Sequence, residues 1–143
     1  MHRIVLLLLL LVSSISVHSQ APYLIEGEVK NVRDGVELIL IDVPAKTQLG
    51  IGVIKNGTFR LKAKPVQGGL RHLGLLALGD EFPPAYCMIY MHEGSHVKIK
   101  GEDNLTNLWK VESDLKENQS RRAYLEYIKE SEVVFAQTAA SVL

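Results

Sequence analysis

Ile51-Gly52-Val53-Ile54-Lys55-Asn56-Gly57-Thr58-Phe59-Arg60-Leu61-Lys62 is the stretch that decides the fold. Asn-Gly takes up the positive φ values that a two-residue type I′ turn demands, so the dipeptide predicts a hairpin joining residues 51–55 to residues 58–62. Phe59 and Leu61 then point to a core, and Thr58, Arg60 and Lys62 to water. A strand period here sets the expectation for the segments on either side.

Upstream, Tyr23, Ile25, Gly27 and Val29 alternate with Leu24, Glu26, Glu28 and Lys30, which predicts a strand with one buried face. Residues 31–35 read as a turn. Residues 36–41 are apolar at nearly every position and β-branched at Val36, Ile39 and Ile41, so they read as a central strand covered on both sides and closed by Pro44. Downstream, residues 70–78 and 85–91 are apolar runs separated by a Pro83-Pro84 loop. Residues 96–101 alternate again, and residues 108–111 form a short eighth strand. Turns recur about every eight to twelve residues with no helix period before Ser113. The expected fold is mostly β: an antiparallel β-sandwich of about seven or eight strands over residues 20–112, followed by a C-terminal helix within 113–143.

Ser113 suits a helix cap, and Asp114 and Glu117 suit the positive end of the helix dipole. Tyr124, Leu125, Ile128, Val134 and Phe135 give a loose apolar stripe. It either lies across the sandwich or begins a connector to another domain.

Met1-His2-Arg3 followed by the apolar run 4–12 is the size of a signal-peptide core and too short for a membrane span. Val17-His18-Ser19 places the expected cut between Ser19 and Gln20, making 1–19 a signal peptide and the mature chain an exported protein of the periplasm, cell envelope or exterior. About 124 residues remain, the size of one domain. Lys plus Arg equal Asp plus Glu at 16 each, so net charge favours neither nucleic acid nor an anionic membrane.

The chemistry-bearing residues are few. His92-Glu93-Gly94-Ser95-His96 has the letters of HExxH, but Gly94 and Ser95 between two strand patterns predict a turn, where the two imidazoles do not share a helix face. A hydrolase using His92, Glu93 and His96 stands only as an alternative. The one cysteine, Cys87, lies in an apolar strand and reads as a buried, inert thiol. Gly50-Ile51-Gly52 lacks the third glycine and the following helix of a nucleotide loop. Asp80, Glu81 and Glu93 read as solvated loop carboxylates. No catalytic, cofactor-binding or metal-ligating residue is assigned, and no cofactor is expected. Sequons at Asn56, Asn104 and Asn118 hint at a second alternative, a secreted eukaryotic ligand-binding or adhesion sandwich carrying glycan on Asn104 and Asn118.

Four pieces carry a resemblance: Tyr-Leu-Ile-Glu-Gly-Glu-Val at 23–29, Val-Ile-Lys-Asn-Gly-Thr-Phe-Arg-Leu at 53–61, Met-His-Glu-Gly-Ser-His-Val-Lys-Ile at 91–99, and Val-Glu-Ser-Asp-Leu-Lys-Glu-Asn at 111–118. In order and spacing they resemble the β-sandwich domain of unknown function that follows the signal peptide in exported bacterial thiol-disulfide oxidoreductases of the TlpA and ResA type. The resemblance covers most of residues 22–130. It implies a helical connector after the sandwich and then a thioredoxin-like domain with a Trp-Cys-x-x-Cys site. This sequence has no such motif, so the resemblance carries over no catalytic residue. It implies a noncatalytic module for partner recognition or positioning, its partner a thioredoxin-like domain or another envelope protein.

Overall fold

The computed structural model describes residues 20–140, so the expected signal peptide and its cut at Ser19 lie outside the described residues. Eight strands form near the expected segments, with the third starting four residues before the expected 51–55 and the eighth two residues after the start of the expected 108–111: β1 (Tyr23–Val29), β2 (Glu37–Asp42), β3 (Thr47–Val53), β4 (Thr58–Ala63), β5 (Arg71–Ala77), β6 (Cys87–Met91), β7 (His96–Gly101) and β8 (Lys110–Glu112). Helix α1 (Lys116–Ala140) follows. The strands make two four-stranded sheets, ordered β4-β1-β7-β8 and β3-β2-β5-β6. The fold is the expected β-sandwich with a C-terminal helix.

Its pairing is antiparallel with one exception, since β1 and β7 run parallel, with Ile25 opposite Val97 and Gly27 opposite Ile99. Parallel neighbours need a long connection. Here the chain supplies it by building the second sheet between β1 and β7, without a crossover helix.

The Asn56-Gly57 turn forms as expected, with φ of 51° and 72°. Lys55 and Thr58 exchange both backbone hydrogen bonds, at 2.9 and 3.0 Å. The flanking strands do not stay paired, however: β3 turns to β2 and β4 to β1, so the hairpin is the corner joining the two sheets. The corner is tight because β3 carries two glycines against β4. A Cβ on Gly50 would lie 3.2 Å from that of Ala63, and one on Gly52 would lie 3.3 Å from that of Leu61. This close approach gives Gly50-Ile51-Gly52 its structural reason.

Between the sheets, Tyr23, Ile25, Phe59, Leu61, Val97 and Ile99 meet Leu38, Leu40, Leu73, Leu75, Ile89 and Met91, all at most 5% exposed. Burying such side chains drives folding, and cutting one to alanine costs about 2–5 kcal/mol. Gly27 is bare because Phe59 lies on it: a Cβ there would fall 2.1 Å from the Phe59 ring. Trp109 seals the side opposite the hairpin, stacked on Gly101, with its indole N–H donating to the Asp103 carbonyl at 2.9 Å.

Helix α1 begins at Lys116, three residues beyond the expected cap. Ser113 instead organises the turn before it, its hydroxyl accepting the Leu115 N–H at 3.0 Å. Glu117 occupies the first helical turn as expected, whereas Asp114 precedes it.

Candidate functional site

The sequence-derived candidates scatter. Residues 92–95 form the β6–β7 turn, with Gly94 at φ 77° and the Ser95 hydroxyl accepting the His92 N–H at 3.0 Å. His92 Nδ1 donates to the Glu93 carbonyl at 2.9 Å, and the Glu93 carboxylate accepts the Ala21 N–H at 2.9 Å. His96 sits on β7 with Nε2 2.9 Å from Glu26, which also faces Arg60 at 3.7 Å. Each member of the HExxH string therefore has its own separate partner, as a turn dictates.

Cys87 is fully buried on β6, with Sγ 3.9 Å from the Trp109 carbonyl. Burial pushes its thiol up to about 12, against a smaller opposing pull from the Arg121 cation. Almost no thiolate exists at neutral pH, which suits a packing role. Glu81 pairs with Arg33 at 2.6 Å. Its carboxyl is held below the ordinary range, first by a hydrogen bond from its own backbone and then by the Arg33 side chain.

The sequons divide. Asn56 is exposed at the hairpin tip, and Asn104 Nδ2 donates to the Glu81 carbonyl at 3.2 Å. Asn118 is 1% exposed with both amide atoms engaged, so it cannot carry a glycan in this fold. That overturns the expectation of glycan at Asn118.

What Asn118 does instead was not legible as a site. Strand β6 is the edge of its sheet, leaving outward backbone groups that need partners. From the first turn of α1, Asn118 Oδ1 accepts the Tyr90 N–H at 2.8 Å and Nδ2 donates to the Tyr90 carbonyl at 2.8 Å. Nδ2 also donates to the Ser113 hydroxyl at 2.9 Å. The side-chain amide thus replaces the missing strand for one residue pair and ties the helix to the sandwich. Nearby, the Thr106 hydroxyl donates to the Ala85 carbonyl at 3.1 Å, closing the same edge lower down.

Beyond this clasp α1 keeps one side against the edge of β8 and turns the other to solvent. Leu125 and Ile128 are half-buried, Leu125 sharing a narrow gap with Leu108 beside β8. Tyr124 and Tyr127 are 54% and 77% exposed. The side chains of Val134 and Phe135 lie outside the described residues. Between the helix and β6 runs an open groove of about 540 Å³, floored by Met88 and Tyr90 and flanked by Lys116, Arg121 and Tyr124. The Arg121 guanidinium lies 5.5 Å from the centre of the Tyr124 ring.

The sandwich's two outer faces differ in chemistry. On the first sheet, Glu26 stands opposite Arg60 and Lys98, Glu28 opposite Lys100, and Glu112 opposite Lys98, an alternation of opposite charges suited to water in which Glu26 pairs with Arg60 at 3.7 Å and Glu112 with Lys100 at 3.5 Å. On the second sheet, Ile39 lies between Ile51 and Leu76, Gly74 beside Met88, and His72 beside Tyr90. The central strand β2 was expected to be covered on both sides. Its outward residues Ile39 and Ile41 are only half-buried, by their own neighbours. Tyr86 lies over Gly74, and His72 stacks on Tyr90 at 5.3 Å.

Among the described residues no helix is long and apolar enough to cross a membrane. No family model, curated protein or solved structure matches the chain.

Proposed function

We propose that the chain is a noncatalytic exported module that positions a thioredoxin-like partner, with the sandwich as base and α1 as arm. The observation that carries this reading is the asymmetric mounting of α1, fixed at Asn118 and bare at Tyr124 and Tyr127. A helix mounted in this way has a defined direction at its root and exposed aromatic surface further out, the combination that contact with a partner uses. Export rests on the 1–19 segment, and the identity of the partner rests on the resemblance in order and spacing. The lone cysteine supports a division of labour: Cys87 is buried, so thiol chemistry belongs to the partner.

The test is a titration of the isotopically labelled chain with an exported thioredoxin-like protein bearing Trp-Cys-x-x-Cys, followed by amide and aromatic chemical shifts. Shifts centred on Tyr124 and Tyr127 are expected. No shift at about 1 mM titrant, where even millimolar affinity would register, overturns the reading.

A further inference from the structure

Strand β6 is an edge of its sheet, and the Asn118 clasp closes that edge at one residue. Outward backbone groups recur at every second residue of a strand, so Met88 turns its N–H and carbonyl the same way as Tyr90. The register agrees: His72, the partner of Tyr90, gives its carbonyl to the Val43 N–H, away from β6, and Gly74 holds the matching place beside Met88. Among the described residues nothing reaches the Met88 backbone as Asn118 reaches Tyr90, and Thr106 closes the edge again only at Ala85. Met88 is therefore an unpaired step of the sheet edge, and it lines the groove beside α1.

The helix side of the same groove carries charge without partners. Lys116 and Arg121 line it, and neither forms an ion pair among the described residues. Arg121 Nε is buried with no hydrogen-bond partner, and the guanidinium is near enough to β6 for its charge to act on the Cys87 thiol. A buried guanidinium nitrogen left unpartnered is costly, and a carboxylate on the same fork offsets that cost. Glu117 also lines the groove, so two cations stand there against one carboxylate. Tyr90 and Tyr124 add flat apolar surface.

Met88 lacks a group that both donates and accepts, as the Asn118 amide does for Tyr90, and Arg121 and Lys116 lack an anion. An extended acidic peptide brings both. We propose that the groove between β6 and α1 binds an extended acidic peptide segment, one residue of which exchanges both backbone hydrogen bonds with Met88 while its carboxylates meet Arg121 and Lys116. The bound segment lengthens the substitute strand that Asn118 begins.

Titration of the isotopically labelled chain with acetyl-Thr-Glu-Val-Glu-Thr-amide, followed by magnetic resonance, tests it. The expected result is a saturable shift of the Met88 amide and of the Arg121 side-chain N–H, with a dissociation constant below about 1 mM. Methylating the backbone nitrogens of the peptide, which removes its donors and keeps its charge, weakens binding at least about fivefold. Replacing both glutamates with lysine weakens it at least about tenfold. Arg121→Gln and Lys116→Gln each weaken it at least about threefold. Lys116 is exposed and Arg121 half-buried, so both variants keep the fold, verified by unchanged Trp109 fluorescence. No shift at about 5 mM peptide overturns the inference, as does equal binding of the methylated or the lysine peptide, or a dissociation constant that neither glutamine variant raises. The reading of α1 as an arm stands separately, since Tyr127 lies outside this groove and reports on a different titrant.

Discussion

Replacing Asn118 by alanine removes three hydrogen bonds, two to the Tyr90 backbone and one to the Ser113 hydroxyl. Each contributes about 0.5–1.5 kcal/mol net. Tyr90 is half-buried, so water partly re-solvates its freed N–H and carbonyl and the full cost of orphaned groups does not apply. The expected destabilisation is about 2–3 kcal/mol. For a domain of this size that corresponds to a melting temperature lower by roughly 6–15 °C. Urea unfolding followed by the fluorescence of Trp109, 2% exposed in the core, measures it, with the midpoint falling and the slope unchanged. Asn118→Asp separates hydrogen bonding from packing. The carboxylate still accepts the Tyr90 N–H but turns an anion toward the Tyr90 carbonyl, which raises its folded-state pKa. The penalty is therefore full near neutrality and shrinks as pH falls and the group protonates. An Asn118→Ala variant within 0.5 kcal/mol of the parent would refute the clasp.

Other substitutions probe the core and the loops. Cys87 should resist iodoacetamide at pH 8 in the folded chain and react fully in urea, because its thiol titrates at about 12; alkylation of the folded chain at the rate of a free thiol would contradict its burial. In an insulin-reduction assay the chain alone should give no turnover above the reductant baseline, and turnover lost in Cys87→Ser would end the noncatalytic reading. Gly27→Ala should cost about 1–3 kcal/mol by displacing the Phe59 ring, with Phe59→Leu recovering part of the loss in a double-mutant cycle. Glu81 has a folded pKa below its ordinary 4.5, so its contribution is present above that value and disappears as pH falls through the folded value. The melting temperatures of parent and Glu81→Gln should accordingly differ near pH 7 and converge near pH 3.

The alternation of Tyr23, Ile25 and Val29, the Asn56-Gly57 turn and the Pro83-Pro84 break were enough to read eight strands, because these are local properties of the backbone. Partner choice was less legible. Asn-Gly specifies a turn and leaves open how far its strands stay together; the Gly50 and Gly52 approach to β4, a tertiary contact, sends them to different sheets. The parallel β1–β7 pair escaped for the same reason, since no residue in either strand encodes the hand of its neighbour. An apolar run over residues 36–41, broken only by Glu37, signals two buried faces, yet one of them is covered only by Ile51, Leu76 and their like on the same sheet. Asn118 was visible only as a sequon. Its role depends on β6 ending up at a sheet edge, which no sequence pattern near Asn118 announces.

Amide hydrogen exchange along α1 addresses the mounted arm most directly. The account predicts strong protection just beyond the clasp, at residues 119–122, and protection at least about tenfold weaker at residues 127–129. It also predicts that Asn118→Ala lowers the first group to the level of the second while the β1 and β7 amides stay protected. Uniform protection along the helix, unchanged in Asn118→Ala, would contradict it.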